Sequence, residues 1–157
     1  MGHAEQAARG HRHSVLVADD SAAVRWSLST ALSFVGCDVA TAASAEEALA
    51  LLHAGLDPCV VLLDLLMLHG RAEEFRSARR AEPRLAEIPV VVLTCADEVA
   101  SVRERLGARA WVVKPPDLEE LHGLIVRLCG RTGETTARGE SPGGPPPRGA
   151  STRTPRT

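Results

Sequence analysis

The chain reads as an α/β protein with a doubly wound parallel sheet of five strands and right-handed crossovers. Three observations carry this reading. Short apolar runs alternate with helical patterns five times over residues 13–130. The runs are continuous rather than alternating, as strands covered on both faces must be. The chain is 45% hydrophobic but only 3% aromatic, so its core is built from Val, Leu and Ala.

The five strand candidates are Val15-Leu16-Val17-Ala18, Val39-Ala40, Val60-Val61-Leu62-Leu63, Val90-Val91-Val92-Leu93 and Trp111-Val112-Val113. The second is short and weak. After the first, Val24, Leu28, Ala31, Leu32 and Val35 recur at helical spacing, with Gly36 as a stop. Ser44-Ala45-Glu46-Glu47 is a capping box that opens a second helix, turning Leu49 and Leu52 inward. The third stretch, Ala72 to Ala81, has Phe75 as its only large apolar residue. The fourth uses Val99, Val102 and Leu106 and ends at Gly107. The fifth opens on Asp117-Leu118-Glu119-Glu120 and buries Leu121, Leu124, Ile125 and Leu128. Sheets of this kind commonly run in the order 2-1-3-4-5, with ligands beyond the carboxyl ends of the strands at the switch between strands 1 and 3.

Composition bounds the rest. A net charge of −2 argues for neither nucleic acid nor a membrane surface, and no apolar run approaches membrane-spanning length. Residues 1–12 lack the apolar stretch of a secretory signal and read as a flexible arm. Residues 131–157, rich in Gly, Pro, Ser, Thr and Arg, are expected to be disordered. No two of Cys37, Cys59, Cys95 and Cys129 form a C-x-x-C pair. The six histidines show no ligand spacing, and His11 and His13 read as part of the arm. No thiolate or imidazole metal site is therefore expected, and a reduced cytoplasm fits the free thiols. All but one of the 18 basic residues are Arg. The single Lys114 is expected where a compact ammonium serves and a broad guanidinium does not.

The carboxyl ends of the strong strands carry Asp19-Asp20, Asp64, Thr94 and Lys114. Three clustered carboxylates repel one another, and a hard divalent cation such as Mg²⁺ relieves this. Asp64, on the central strand, is the natural nucleophile for an acyl phosphate. Phosphoryl transfer needs mainly positioning and charge neutralisation. The cation, Lys114 and the Thr94 hydroxyl suit the three equatorial oxygens.

Over residues 13–130 the sequence resembles the receiver domain of response regulators, a CheY-like member of the flavodoxin-like folds. The resemblance rests on Val17-Ala18-Asp19-Asp20-Ser21, Val60-Val61-Leu62-Leu63-Asp64, Val92-Leu93-Thr94, Gly107-Ala108 and Val113-Lys114-Pro115, in order and at matching separations. It implies a stand-alone, phosphorylation-dependent switch of a bacterial two-component system rather than a turnover enzyme. Asp64 resembles the phosphoacceptor, supplied by a histidine kinase or phosphotransfer protein. Asp20 looks like a direct Mg²⁺ ligand, with Asp19 acting through water and the Leu66 carbonyl completing the set with Asp64. Thr94 resembles the switch hydroxyl, Lys114 the phosphate-pairing lysine, Trp111 the switch aromatic and Lys114-Pro115 the cis peptide. Output is implied through protein contacts on the face of the fourth helix, fifth strand and fifth helix, with no nucleic acid and no membrane.

The loop after Asp64 departs from the family pattern. Met67 matches, Leu68 stands in place of a proline, and Gly70 arrives two residues early. This departure supports the alternative, a receiver-fold binding module that works without phosphate. Leu66 and Ala96, at positions that influence the attacking water in the family, are apolar, so slow self-dephosphorylation is expected.

Overall fold

The computed structural model describes residues 12–95 and 106–130. Five strands are present: β1 (Ser14–Ala18), β2 (Asp38–Ala42), β3 (Val60–Asp64), β4 (Val90–Thr94) and β5 (Ala110–Val113). All pairings are parallel and the order is β2-β1-β3-β4-β5, as expected. Register sets Val15 beside Val60 and Val61 beside Val90. The weak second strand is a full five residues. It lies at the edge, where only one neighbour is needed, so its polar Asp38 and Thr41 stay exposed.

Helices cover both faces. α1 (Ala22–Phe34) and α5 (Leu118–Cys129) pack with Val15, Val17, Val60, Leu62, Val91 and Leu93. α2 (Ala45–His53) and α3 (Ala72–Arg80) pack on the other face, with Leu16, Val61, Leu63, Val90 and Val92. Strand side chains alternate between the two cores, which is why each run is apolar throughout. The Ser44 hydroxyl takes the Glu47 N–H at 3.0 Å. Glu47 reaches back to the Ala43 N–H at 2.9 Å, one residue earlier than a standard capping box. The Asp117 carboxylate caps α5 through the Glu120 N–H at 2.9 Å.

Two features of the third crossover were not anticipated. A short helix α4 (Pro83–Glu87), with proline in its first turn, follows α3. α3 buries Ala72, Phe75 and also Arg79, whose guanidinium donates to the Leu85 and Ala86 carbonyls at 3.2 and 3.3 Å. A cation thus fills a helix face that lacks apolar residues, because it closes the open end of α4. Val99 and Val102 of the anticipated fourth helix lie outside the described residues, as do the terminal segments 1–11 and 131–157. Leu106 is fully buried. No helix among the described residues is long and apolar enough to cross a membrane.

Candidate functional site

β1 runs into Asp19, whose N–H donates to the Ala42 carbonyl at 3.1 Å and so extends the β1–β2 ladder by one step. The side chain is held from both sides. Its Oδ1 takes the Ser21 N–H at 2.9 Å and its Oδ2 takes Lys114 Nζ at 3.0 Å. Asp20 turns outward and is exposed. Asp64 closes β3 and is only 3% exposed. Its Oδ1 takes the Leu66 N–H at 3.3 Å and lies 3.1 Å from Lys114 Nζ. The carboxylates of Asp19, Asp20 and Asp64 each offer an oxygen within 4.8 Å of the others.

Lys114 reaches this point because its own N–H donates to the Thr94 carbonyl at 2.9 Å, prolonging the β4–β5 pairing. The Lys114–Pro115 bond is cis, as the resemblance implies. Burial alone lowers the ammonium's pKa; the hydrogen bonds it donates to Asp19 and Asp64 outweigh this and leave Lys114 raised. Asp64 also lies above the ordinary carboxylate range. Burial is the main cause, the Lys114 hydrogen bond opposes it, and the Asp19 charge adds to it. Two buried carboxylates sharing one ammonium remain under-neutralised, which is the condition a divalent cation relieves. Asp20 supplies the third carboxylate on the solvent side.

Thr94 is buried at the end of β4, and its hydroxyl donates to the Cys95 carbonyl at 3.2 Å. Trp111 is half-buried and packs on the α2–α3 core. It pairs in register with Val92, two residues before Thr94, so Thr94 and Trp111 share one face of the sheet. Leu66 is 58% exposed and opens a 3₁₀ turn, Leu66–Leu68. Its carbonyl, expected as a cation ligand, accepts the His69 N–H at 3.2 Å and keeps a second lone pair. The departure in this loop has a packing reason. Met67 and Leu68 are buried, and the left-handed His69 (φ 47°) and Gly70 (φ 80°) turn the chain early into α3.

One contribution was missed in the sequence. Arg25, the single charged residue of α1, donates to the Asp19 carbonyl at 2.8 Å. The cysteines and histidines carry no spacing motif, yet three of them meet in the fold. His13, Cys59 and Cys129 each present a ligand atom within 4.8 Å of the others. They come from three distant parts of the chain, so no spacing motif could reveal them. His13 is also not a free arm residue, since its carbonyl accepts the Asp38 N–H at 2.9 Å.

Comparison with known proteins agrees with the geometry. Residues 15–126 match the family model of the response regulator receiver domain. A "Probable transcriptional regulator ycf27" of Guillardia theta is 36% identical over 127 residues, covering 77% of this chain and 47% of that protein. "Response regulator MprA" of Mycolicibacterium vanbaalenii is 38% identical over 132 residues, covering 81% and 54%. The chain therefore spans about half the length of these curated relatives. Among solved structures, a chemotaxis response regulator of Vibrio cholerae superposes with a TM-score of 0.64 at 31% identity, covering 74% of this chain and 98% of that one. A Francisella receiver domain gives 0.66 at 26% identity, covering 77% and 99%. With the sheet order, the acidic site and the family model in agreement, this chain belongs to the response regulator receiver family.

Proposed function

We propose that the chain is a phosphorylation-dependent signalling switch whose phosphoacceptor is Asp64. The observation that carries this is the placement of Lys114 Nζ, 3.0 Å from Asp19 and 3.1 Å from Asp64, beside a third carboxylate at Asp20. An Asp64 oxygen attacks the phosphorus of a phosphohistidine on a kinase or phosphotransfer protein. The new O–P bond forms as the N–P bond breaks, and the donor imidazole leaves with the electron pair and is protonated. Lys114 holds positive charge beside the accepting oxygen throughout. Asp19, Asp20, Asp64 and the free lone pair of the Leu66 carbonyl suit Mg²⁺. Bound there, it supplies neutralising charge to the carboxylates and to the phosphoryl oxygens.

After transfer, the Thr94 hydroxyl exchanges its bond to the Cys95 carbonyl for a phosphoryl oxygen. Trp111, on the same face, moves with it. Output is contact with a downstream protein on the face of the anticipated fourth helix, β5 and α5. The relatives named as transcriptional regulators are longer, and this chain matches about half of their length.

Intact-mass measurement after incubation with acetyl phosphate and Mg²⁺ tests the reading. One phosphoryl adduct is expected, lost in Asp64→Asn and in the presence of chelator. The exposed, apolar Leu66 cannot orient a water by hydrogen bonding, so the adduct should persist for minutes or longer in Mg²⁺. Decay within seconds overturns that expectation. Absence of any adduct, with no Mg²⁺ uptake, overturns the switch and leaves a phosphate-independent binding module built around the altered loop.

A further inference from the structure

The edge of the sheet opposite Asp64 carries a second cluster of ligand-type side chains. His13 immediately precedes β1, Cys59 immediately precedes β3, and Cys129 ends α5. The parallel topology brings the amino ends of β1 and β3 and the carboxyl end of α5 to one place. The backbone there is well tied. The Cys59 N–H donates to the Ser14 carbonyl at 2.8 Å, and the Asp38 N–H to the His13 carbonyl at 2.9 Å. Cys129 is largely buried, while His13 and Cys59 are half-buried, so the group is enclosed yet reachable from solvent.

We propose that His13, Cys59 and Cys129 form a binding site for a soft d¹⁰ cation, with Zn²⁺ as the ion the donor set fits best. One imidazole and two thiolates are the donors such an ion prefers over carboxylates and water. Three protein ligands leave a fourth position for water, the count of an open zinc site. A zinc ion lies about 2.3 Å from sulfur and about 2.0 Å from nitrogen, which places tetrahedral ligand atoms roughly 3–4 Å apart. The group, with all its atoms within 4.8 Å, therefore needs only small side-chain rotations to close. Binding is not a redox step. The two thiols each release a proton to solvent as their S–H bonds give way to S–Zn bonds, and the neutral imidazole donates its lone pair.

Cys129 belongs to the core under α1 and α5, and Cys59 packs against its edge. None of the four cysteines is in a disulfide. Burial, and after it the hydrogen bond with Cys59, push the Cys129 thiol up. The position also matters for the molecule. The site joins the root of segment 1–12 to the root of segment 131–157, across the sheet from the phosphoacceptor. A cation here ties the first strand to the last helix. A hard Mg²⁺ bound at Asp20 and Asp64 does not compete for it, because the donor types differ.

The test uses the full chain without a polyhistidine tag, reduced and stripped with chelator, and titrated with Co²⁺ as an optical probe. A thiolate-to-cobalt charge-transfer band saturating at one equivalent is expected, bleached by one equivalent of Zn²⁺ and retained in Asp64→Asn. Cys59→Ser, Cys129→Ser and His13→Gln should each weaken binding at least tenfold. Far-UV circular dichroism checks that each variant folds, and His13→Gln keeps the test valid if a cysteine variant does not. Zn²⁺ should also shield two of the four thiols from a thiol reagent. Absence of the band overturns the proposal. So does a band that survives in a folded Cys59→Ser/Cys129→Ser double variant. Conversion of the pair to a disulfide under mild oxidant, with no Co²⁺ or Zn²⁺ uptake by the reduced chain, also overturns it.

Discussion

Asp64 shows how a single residue is set against stability for the sake of chemistry. Its folded-state pKa lies above that of an ordinary aspartate, chiefly through burial. The folded state therefore binds its proton more tightly than the unfolded chain. The stability this gives is present at low pH and is lost as pH rises from about 4 through the folded value. Asp64→Asn removes the buried charge, so it should gain on the wild type as pH rises through this window. By neutral pH the gain should be about 1 kcal/mol in urea unfolding, the ordinary size of a substitution effect. Equal stability at neutral pH, or an advantage confined to acid, would show that Lys114 fully compensates the charge. The site residues themselves were legible because each follows an apolar run that stops at a polar residue. That pattern locates a strand end without any knowledge of its neighbours. The sharing of one ammonium between Asp19 and Asp64 was not legible, since it depends on how far β5 is offset from β1 and β3.

Among the secondary-structure elements, caps and strands followed local rules, and the third crossover did not. α3 has too few apolar residues to seat by hydrophobic burial alone, and Arg79 supplies what they lack. Its pKa is lowered, first by burial and then by Arg80, Arg76 and Arg109, so the buried cation costs stability that its two carbonyl partners offset. Arg79→Met should remove both bonds while keeping apolar volume. The expected loss is about 2 kcal/mol, because buried acceptors are left unpaired. An unchanged urea midpoint would mean that water replaces the guanidinium. Periodicity found the helix but could not foresee this, because it scores Arg as a solvent-facing residue. The short helix α4 carried a usable signal, a proline placed to occupy a first turn, but five residues are too few for periodicity to register.

The whole molecule presents two chemically distinct edges. One is acidic and suited to a hard cation; the other carries sulfur and imidazole and suits a soft one. Mg²⁺ at ten times its dissociation constant should stabilise the fold by about 1.4 kcal/mol through binding the native state alone. Asp20→Asn should abolish that gain with little effect on the metal-free protein, since Asp20 is exposed. A Mg²⁺ response that survives the substitution would place the cation elsewhere.

Amino-acid order alone determined the alternation of strand and helix, the two-sided burial of the sheet and the residues gathered at its carboxyl edge. Each of these reports on a run of neighbouring residues, and burial within a run leaves a period that can be read directly. Four contacts waited for the fold: the Lys114 ammonium shared by Asp19 and Asp64, the bond from Arg25 to the Asp19 carbonyl, the buried Arg79, and the meeting of His13, Cys59 and Cys129. Each joins side chains through strand register and helix docking. Contacts of that kind are set by the packing of the whole chain and leave no trace in local spacing.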